Sequence, residues 1–280
     1  MAADDGLPPL REVIARHGLA ARKSLGQHFL LDLNLTRRVA RAAGDLAHGT
    51  TIEVGPGPGG LTRALLIEGA AHLVAIEQDT RCRPALDEIA AAYPGRLEIV
   101  EADALALDLA ALGRPPRRIA ANLPYNVGTP LLIGWLRQAE AFESITVMLQ
   151  KEVADRLAAA PGSADYGRLA IVAQWRCRVR PQFNVAREAF TPPPNVASTV
   201  IRLEPLAEPL APARLATLER VTAAAFGQRR KMLRASLRQL GDAAALLAAA
   251  GIDGTRRAEE LTVAEFCALA RAVDQRAGQP

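Results

Sequence analysis

From Thr51 to Ala160 the chain repeats one unit: a short apolar run, a turn, then a stretch at helical spacing. The runs Thr51–Val54, Leu73–Glu77, Leu97–Glu101, Ile119–Leu123 and Ile145–Leu149 read as strands. Leu61–Gly69, Ala85–Ala92 and Glu152–Ala160 read as helices, and a further one is expected at Thr129, with Thr129 as its cap and Pro130 at its first position. Parallel neighbours need a long crossover, which a helix supplies, so this alternation predicts a mostly parallel sheet covered on both faces. Leu169–Arg178 and Val196–Leu203 look like two more strands without a long helix between them. They are expected as an antiparallel pair at one edge, making a seven-stranded sheet.

Before and after this region the composition changes. Residues 1–21 read as a tail with a short helix. Glu204–Ala213 holds three prolines among Leu and Ala and reads as a linker; the remainder of the chain is rich in Ala, Leu and Arg at helical spacing. The expected division is therefore 1–21, an α/β domain over 22–205, and a small all-helical domain over 206–280. Half of the residues are hydrophobic, enough for a sizeable core. Cys82, Cys177 and Cys267 are odd in number and far apart, and the four histidines show no ligand spacing, so neither a disulfide framework nor a metal site is expected. No apolar run is long enough to cross a bilayer and no signal segment is evident, which fits a cytoplasmic protein. The net charge of +4 permits a polyanionic partner without requiring one.

The first strand runs into Glu53-Val-Gly-Pro-Gly-Pro-Gly-Gly-Leu-Thr62, in which Gly55, Gly57 and Gly60 satisfy a dinucleotide-type G-x-G-x-x-G. Alone that match is weak, but in open parallel sheets ligands bind at the carboxyl ends of the strands, where this loop lies. A pyrophosphate needs backbone N–H donors, and Pro56 and Pro58 have none. S-adenosylmethionine carries no phosphate, so the loop favours a methyl donor over NAD. Glu77 ends the second strand, where a carboxylate can accept from both ribose hydroxyls. Asp103 ends the third, where it can receive an adenine amino group or simply cap a helix.

Asn122-Leu-Pro-Tyr125 follows the fourth strand and is the most specific signal in the chain. An adenine amino group is a poor nucleophile because its lone pair is delocalised into the ring. Accepting both of its N–H hydrogens, on the Asn122 side-chain carbonyl and the Pro124 backbone carbonyl, would localise that pair. Tyr125 supplies a face for the base. Positioning would then dominate, with no strong base required. The alternative is a strand end followed by a proline turn, with Tyr125 as core.

With these motifs stand Lys23-Ser-Leu-Gly-Gln-His-Phe-Leu30, Gln150-Lys-Glu-Val153, Tyr166-Gly-Arg-Leu169, Ala189-Phe-Thr-Pro-Pro-Pro194 and Gly227-Gln-Arg-Arg-Lys231. On them the chain resembles the KsgA (RsmA) family of ribosomal RNA adenine dimethyltransferases from about Arg22 to Arg238. The resemblance implies a class I, Rossmann-like S-adenosylmethionine methyltransferase fold. It implies that His28, Leu30, Gly55, Glu77, Asp103 and Asn122 line the cofactor site, with Gly57 in the same loop. It also implies that Asn122, Pro124 and Tyr125 hold the target adenine, with Phe190 as a second aromatic wall. The implied substrate is a pair of adjacent adenosines in a hairpin loop near the 3′ end of 16S ribosomal RNA, on an immature small subunit. Each adenosine receives two methyl groups, and the enzyme is expected to be a monomer. Position 28 departs from the family, which usually has Asn there; His28 lacks the amide's paired donor and acceptor.

In the last segment Arg230, Arg234 and Arg238 recur every four residues, joined by Lys231, which predicts one cationic stripe on a helix. Phe226, Leu233, Leu237 and Leu240 would form the apolar stripe of the same helix. RNA binding and a merely solvated face both fit such a stripe. Arg176, Arg178 and Arg180 alternate as they would along a strand, and either extend the basic surface or protect a sheet edge. Three other functions compete with the leading one: a DNA adenine methyltransferase, an assembly factor without activity, and an NAD-dependent dehydrogenase.

Overall fold

A computed structural model describes residues 5–22 and 25–277; Lys23 and Ser24 of the Lys23–Leu30 motif lie outside them. In chain order the elements are α1 (Leu10–Arg16), β1 (Phe29–Leu30), α2 (Leu33–Ala42), β2 (Thr50–Val54), α3 (Gly60–Ile67), β3 (Leu73–Glu77), α4 (Arg83–Ala92), β4 (Leu97–Glu101) and β5 (Arg117–Asn122). After these come α5 (Gly128–Arg137), β6 (Ser144–Gln150), α6 (Lys151–Ala158), α7 (Arg168–Arg176), β7 (Cys177–Val185), β8 (Phe190–Thr191) and β9 (Ser198–Pro205). The last helices are α8 (Leu215–Gly227), α9 (Leu233–Ser236), α10 (Ala243–Ala250) and α11 (Val263–Ala277).

The chain divides into two compact units, one of Met1–Ala154 and Arg180–Glu204, the other of Asp155–Val179 and Pro205–Pro280. The first holds the seven-stranded sheet, ordered β4-β3-β2-β5-β6-β9-β7. Its pairs β2–β3, β3–β4, β2–β5 and β5–β6 are parallel and β6–β9 is antiparallel. Every residue of β2 and β3 is buried, as expected of central strands covered on both faces, whereas edge strand β4 has no buried residue. The core beside them joins Val39 and Ala40 of α2 to Leu65 of α3, Leu86 of α4, Met148 of β6 and Val200 of β9.

Three features bring the amino-terminal segment onto this sheet unit. β1 pairs antiparallel with β8, Phe29 opposite Thr191 and Leu30 opposite Phe190. At the start of α3 a Cβ on Gly60 would lie 2.7 Å from the Leu30 carbonyl oxygen, so only glycine admits this approach. Arg63, one turn further along α3 and almost wholly buried, forks onto Asp5 at 2.6 and 2.8 Å and bonds the Pro8 carbonyl at 2.6 Å.

The second unit is helical. Tyr166, Ile171 and Trp175 share one core with Leu218, Val221, Leu233, Leu237, Leu247 and Phe266. Leu169–Arg178, expected as a strand, is thus mostly helix α7, and the edge strand begins only at Cys177. Ala170, Ile171, Val172, Ala173 and Trp175 are all buried, and a helix apolar on most sides shows no clear period to set it apart from a buried strand. The segment expected as a linker is bound to this helix: Leu206 N–H donates to the Arg176 carbonyl and Trp175 Nε1–H to that of Ala211, both at 2.8 Å. Thr129 and Pro130 lie inside α5 rather than at its start, which Val127 precedes.

Candidate active site

β2 lies in mid-sheet; the chain runs outward through β3 and β4, then crosses back to β5 on β2's other side. The loops leaving β2 and β5 therefore diverge, and a crevice opens where the strand order reverses. A cleft of about 1100 Å³, counted with its open mouth, lies there. His28, Leu30, Gly55, Gly57, Glu77, Asp103, Asn122, Pro124, Tyr125 and Phe190 all line it. Residues from separate stretches of sequence are thus brought to one place.

The glycine loop is held by an acid. Glu77 Oε2 accepts the Gly57 N–H and Oε1 accepts the Asp79 N–H, both at 2.8 Å. Burial raises the Glu77 carboxyl above its ordinary value despite these donors. Each carboxylate oxygen retains a lone pair for a further donor such as a ribose hydroxyl. Asp103 lies at the rim, where it caps a short 3-10 turn by accepting Leu105 N–H at 2.9 Å. Both roles expected of it from the sequence are compatible with this position.

Glu53 is the acid that sequence reasoning misses. It sits in fully buried β2 and lines the floor of the cleft, accepting the Thr62 hydroxyl at 2.7 Å. Burial, with the nearby Glu77 charge as a smaller contribution, pushes its carboxyl up to about 8. The signal present in the sequence is an acid inside an otherwise apolar strand, which needs a reason to be there.

Beside the glycine loop Asn122 ends β5, the strand paired with β2. Its Nδ2 donates to the His28 backbone carbonyl at 3.2 Å, which orients the amide and leaves Oδ1 as its acceptor end. The Tyr125 hydroxyl bonds Ser198 Oγ at 2.7 Å, fixing the ring, and burial keeps this phenol above its ordinary range. The Pro124 carbonyl opens helix α5, accepting Gly128 N–H at 2.9 Å and Val127 N–H at 3.3 Å. A substrate N–H would have to share that oxygen, so Asn122 Oδ1 is the less committed of the two proposed acceptors. His28 Nδ1 donates to the Pro192 carbonyl at 2.7 Å, because a carbonyl can only accept. Its ring lies 5.4 Å from that of Tyr125 and 6.5 Å from that of Phe190, between the two proposed aromatic walls.

The lining tests which cofactor fits. Glu77 and Asp103 face the cleft, Glu53 on its floor is held largely protonated near neutral pH by burial, and no Lys or Arg is among its described lining residues. Such a cleft repels a pyrophosphate and suits a cation that carries ribose hydroxyls, which is the chemistry of S-adenosylmethionine.

In the helical unit Arg230, Lys231, Arg234 and Arg238 are all exposed, but not on one helix. α8 ends at Gly227, Arg230 and Lys231 lie in the following turn, Arg234 is in α9, and Arg238 is in a 3-10 turn over Leu237–Leu240. Met232 is extended and bridges Arg257, which breaks the helical path. Leu233 and Leu237 still pack into the core, with Phe226 and Leu240 against it, so the apolar half of the pattern finds its role. Among the described residues none of these four cations forms an ion pair, whereas neighbouring Arg229 pairs with Glu259 at 2.8 Å. Arg176 ends α7; only Arg178 and Arg180 stand on the edge strand.

The family model described as ribosomal RNA adenine dimethylase matches residues 18–275. Proteins named ribosomal RNA small subunit methyltransferase A, from Rhodospirillum rubrum and Paramagnetospirillum magneticum, are each 69% identical over 270 residues. These alignments cover 96% of this chain, and 94% and 96% of the two relatives. Among solved structures, a dimethyladenosine transferase from Plasmodium falciparum aligns with a TM-score of 0.78 at 23% identity, over 89% of this chain and 98% of that one. The 23S rRNA methyltransferase ErmE aligns at 0.66 and 27% identity, over 88% of this chain and 100% of its own.

Proposed function

The chain belongs to the ribosomal RNA adenine dimethylase family, and from that membership we propose that it dimethylates two adjacent adenosines in a hairpin loop near the 3′ end of 16S ribosomal RNA. The observation that carries the reading is the placement of Asn122 on the cleft beside the glycine loop, with its amide turned by the His28 carbonyl so that Oδ1 is the acceptor end. Oδ1 takes one N–H of the adenine amine, and the Pro124 carbonyl, shared with the start of α5, takes the other. Tyr125 and Phe190 flank the base. The bound cofactor supplies an electrophilic methyl group on a sulfonium, and the protein supplies placement and polarity. Glu77 receives the ribose hydroxyls, Asp103 the adenine amino group of the cofactor, and His28, Leu30, Gly55 and Gly57 complete that wall.

Arg230, Lys231, Arg234 and Arg238 are the proposed contacts to ribosomal RNA, since cations without carboxylate partners are available to phosphate. The expected working form is a cytoplasmic monomer acting on an immature small subunit during ribosome biogenesis. No helix among the described residues is long and apolar enough to cross a membrane. The test is transfer of labelled methyl groups to small subunits purified without these modifications, with mass spectrometry of the digested RNA. Two dimethylated adenosines in one loop are expected; label elsewhere, or none, would overturn the reading.

A further inference from the structure

Asp79 makes contacts on two sides of the cofactor cleft that the proposed chemistry does not use. Its backbone N–H donates to Glu77 Oε1 at 2.8 Å, on the acid that also holds Gly57. Its side chain is almost wholly buried and faces the other way. Gln27 Nε2 donates to Asp79 Oδ2 at 3.0 Å, and its side-chain Oε1 accepts the Arg22 backbone N–H at 2.9 Å. Arg81 chelates the same carboxylate at 2.6 and 2.9 Å and reaches the Ala20 carbonyl at 3.3 Å. The Arg81 guanidinium, with a smaller contribution from Gln27, holds the Asp79 carboxyl down at about 2, so it accepts hydrogen bonds at any working pH.

The segment gripped in this way is the one that covers the cleft. Leu25 to Leu30 all line it. Gly26, at φ +64°, seats so close to the catalytic loop that a Cβ there would lie 2.8 Å from Asn126 Oδ1. One residue on from Gln27, His28 bonds Pro192 by its ring and Asn122 by its carbonyl. The segment is thus pinned to the base-binding wall directly, and to the ribose-binding wall through Gln27 and Asp79.

We propose that Asp79 and Gln27 are positioning residues for the cofactor: the Asp79 amide sets Glu77, while its carboxylate, through Gln27, holds Leu25–Leu30 over the bound donor. The two walls then act together, because loss of the Gln27 hydrogen bond loosens Leu25–His28 from the side that carries Glu77, while Phe29 and Leu30 stay packed at Gly57 and Gly60. The inference rests on reading the cleft as the methyl-donor site.

Titration calorimetry of the full-length protein with S-adenosylhomocysteine tests it, with thermal unfolding measured alongside. Gln27→Glu sets one carboxylate against another at unchanged size and should weaken binding by roughly tenfold or more, the scale of turning a charge-assisted hydrogen bond into a repulsion. The unfolding temperature should stay close to the parent's, because the hydrogen bond joins a covering segment and not the core. Parental affinity in Gln27→Glu overturns the proposal. So does a loss of affinity that only tracks a fall in unfolding temperature. Should Gln27→Glu not fold, Gln27→Ala replaces it: a loss of at least about threefold, the worth of one hydrogen bond, supports the proposal, and parental affinity overturns it. Failure of the parent protein to bind S-adenosylhomocysteine is a separate result, and would count against the cofactor reading itself.

Discussion

The side-chain nitrogen of Asn122 is bound to the backbone carbonyl of His28, 94 residues earlier in the chain. The cofactor-side segment thereby orients the amide proposed to hold the target base. Asn122→Ala removes both the donor and the acceptor. Single-turnover methylation at saturating cofactor should fall by roughly a hundredfold or more, the scale for removing one preorganised polar group from developing charge. Small-subunit binding should persist. A near-parental single-turnover rate would show that Asn122 is structural.

Tyr125 separates two effects that one substitution would confuse. Tyr125→Phe keeps the ring and removes the hydroxyl bond to Ser198. It should slow methylation by only a few-fold, about the worth of one orienting hydrogen bond. Tyr125→Ala removes the stacking face, worth about 1–3 kcal/mol per base, and should slow the reaction by roughly tenfold or more beyond that. Equal rates for the two variants would remove the ring from the base site.

Glu53 makes a prediction about pH. Its folded carboxyl lies near 8, above an ordinary value of 4.5, so between these limits the folded protein binds more protons than the unfolded chain. The contribution of this group to stability is therefore full below about pH 4.5 and declines as pH rises towards 8. Each unit of displacement corresponds to about 1.4 kcal/mol, so the total is on the order of a few kcal/mol. Glu53→Gln keeps an acceptor for Thr62 and should flatten this part of the curve, with the variant more stable than the parent at pH 8. Urea unfolding at intervals from about pH 5 to 9 checks it; parallel curves for the two proteins would refute it.

The exposed cations make a prediction about salt. Replacing Arg230, Arg234 and Arg238 with Ala should weaken small-subunit binding and reduce the slope of log K against log salt by roughly 0.7–0.9 for each phosphate left unneutralised. S-adenosylhomocysteine binding should not change, since the cleft is lined wholly by residues of the sheet unit. An unchanged slope would leave these side chains as a solvated face.

The parts legible in the sequence are those written in local patterns. The glycine loop, Glu77 and Asp103 each follow a strand, so alternation and spacing place them together before any coordinates do. α7 reads as a strand because Ile171 and Val172 favour strands and its burial on most sides erases the helical period. The four-residue spacing of Arg230, Arg234 and Arg238 suggests one helix, yet a bridge between Met232 and Arg257, a tertiary contact with no local signal, interrupts it. Gln27 and Asp79 are invisible in the sequence for a related reason. Nothing local marks either side chain as a partner of the other, and their pairing spans 52 residues.

The short ladder between β1 and β8 has a consequence for the order in which the protein becomes competent. His28 and the Pro192 carbonyl that holds it are 164 residues apart, and Phe190 closes the same wall. A nascent chain can complete the glycine loop, Glu77 and the Asn122 motif while this last wall is still unmade. Translation must pass Pro192 before the proposed base pocket closes, so the ribosome has built most of the enzyme before that enzyme can act on ribosomal RNA.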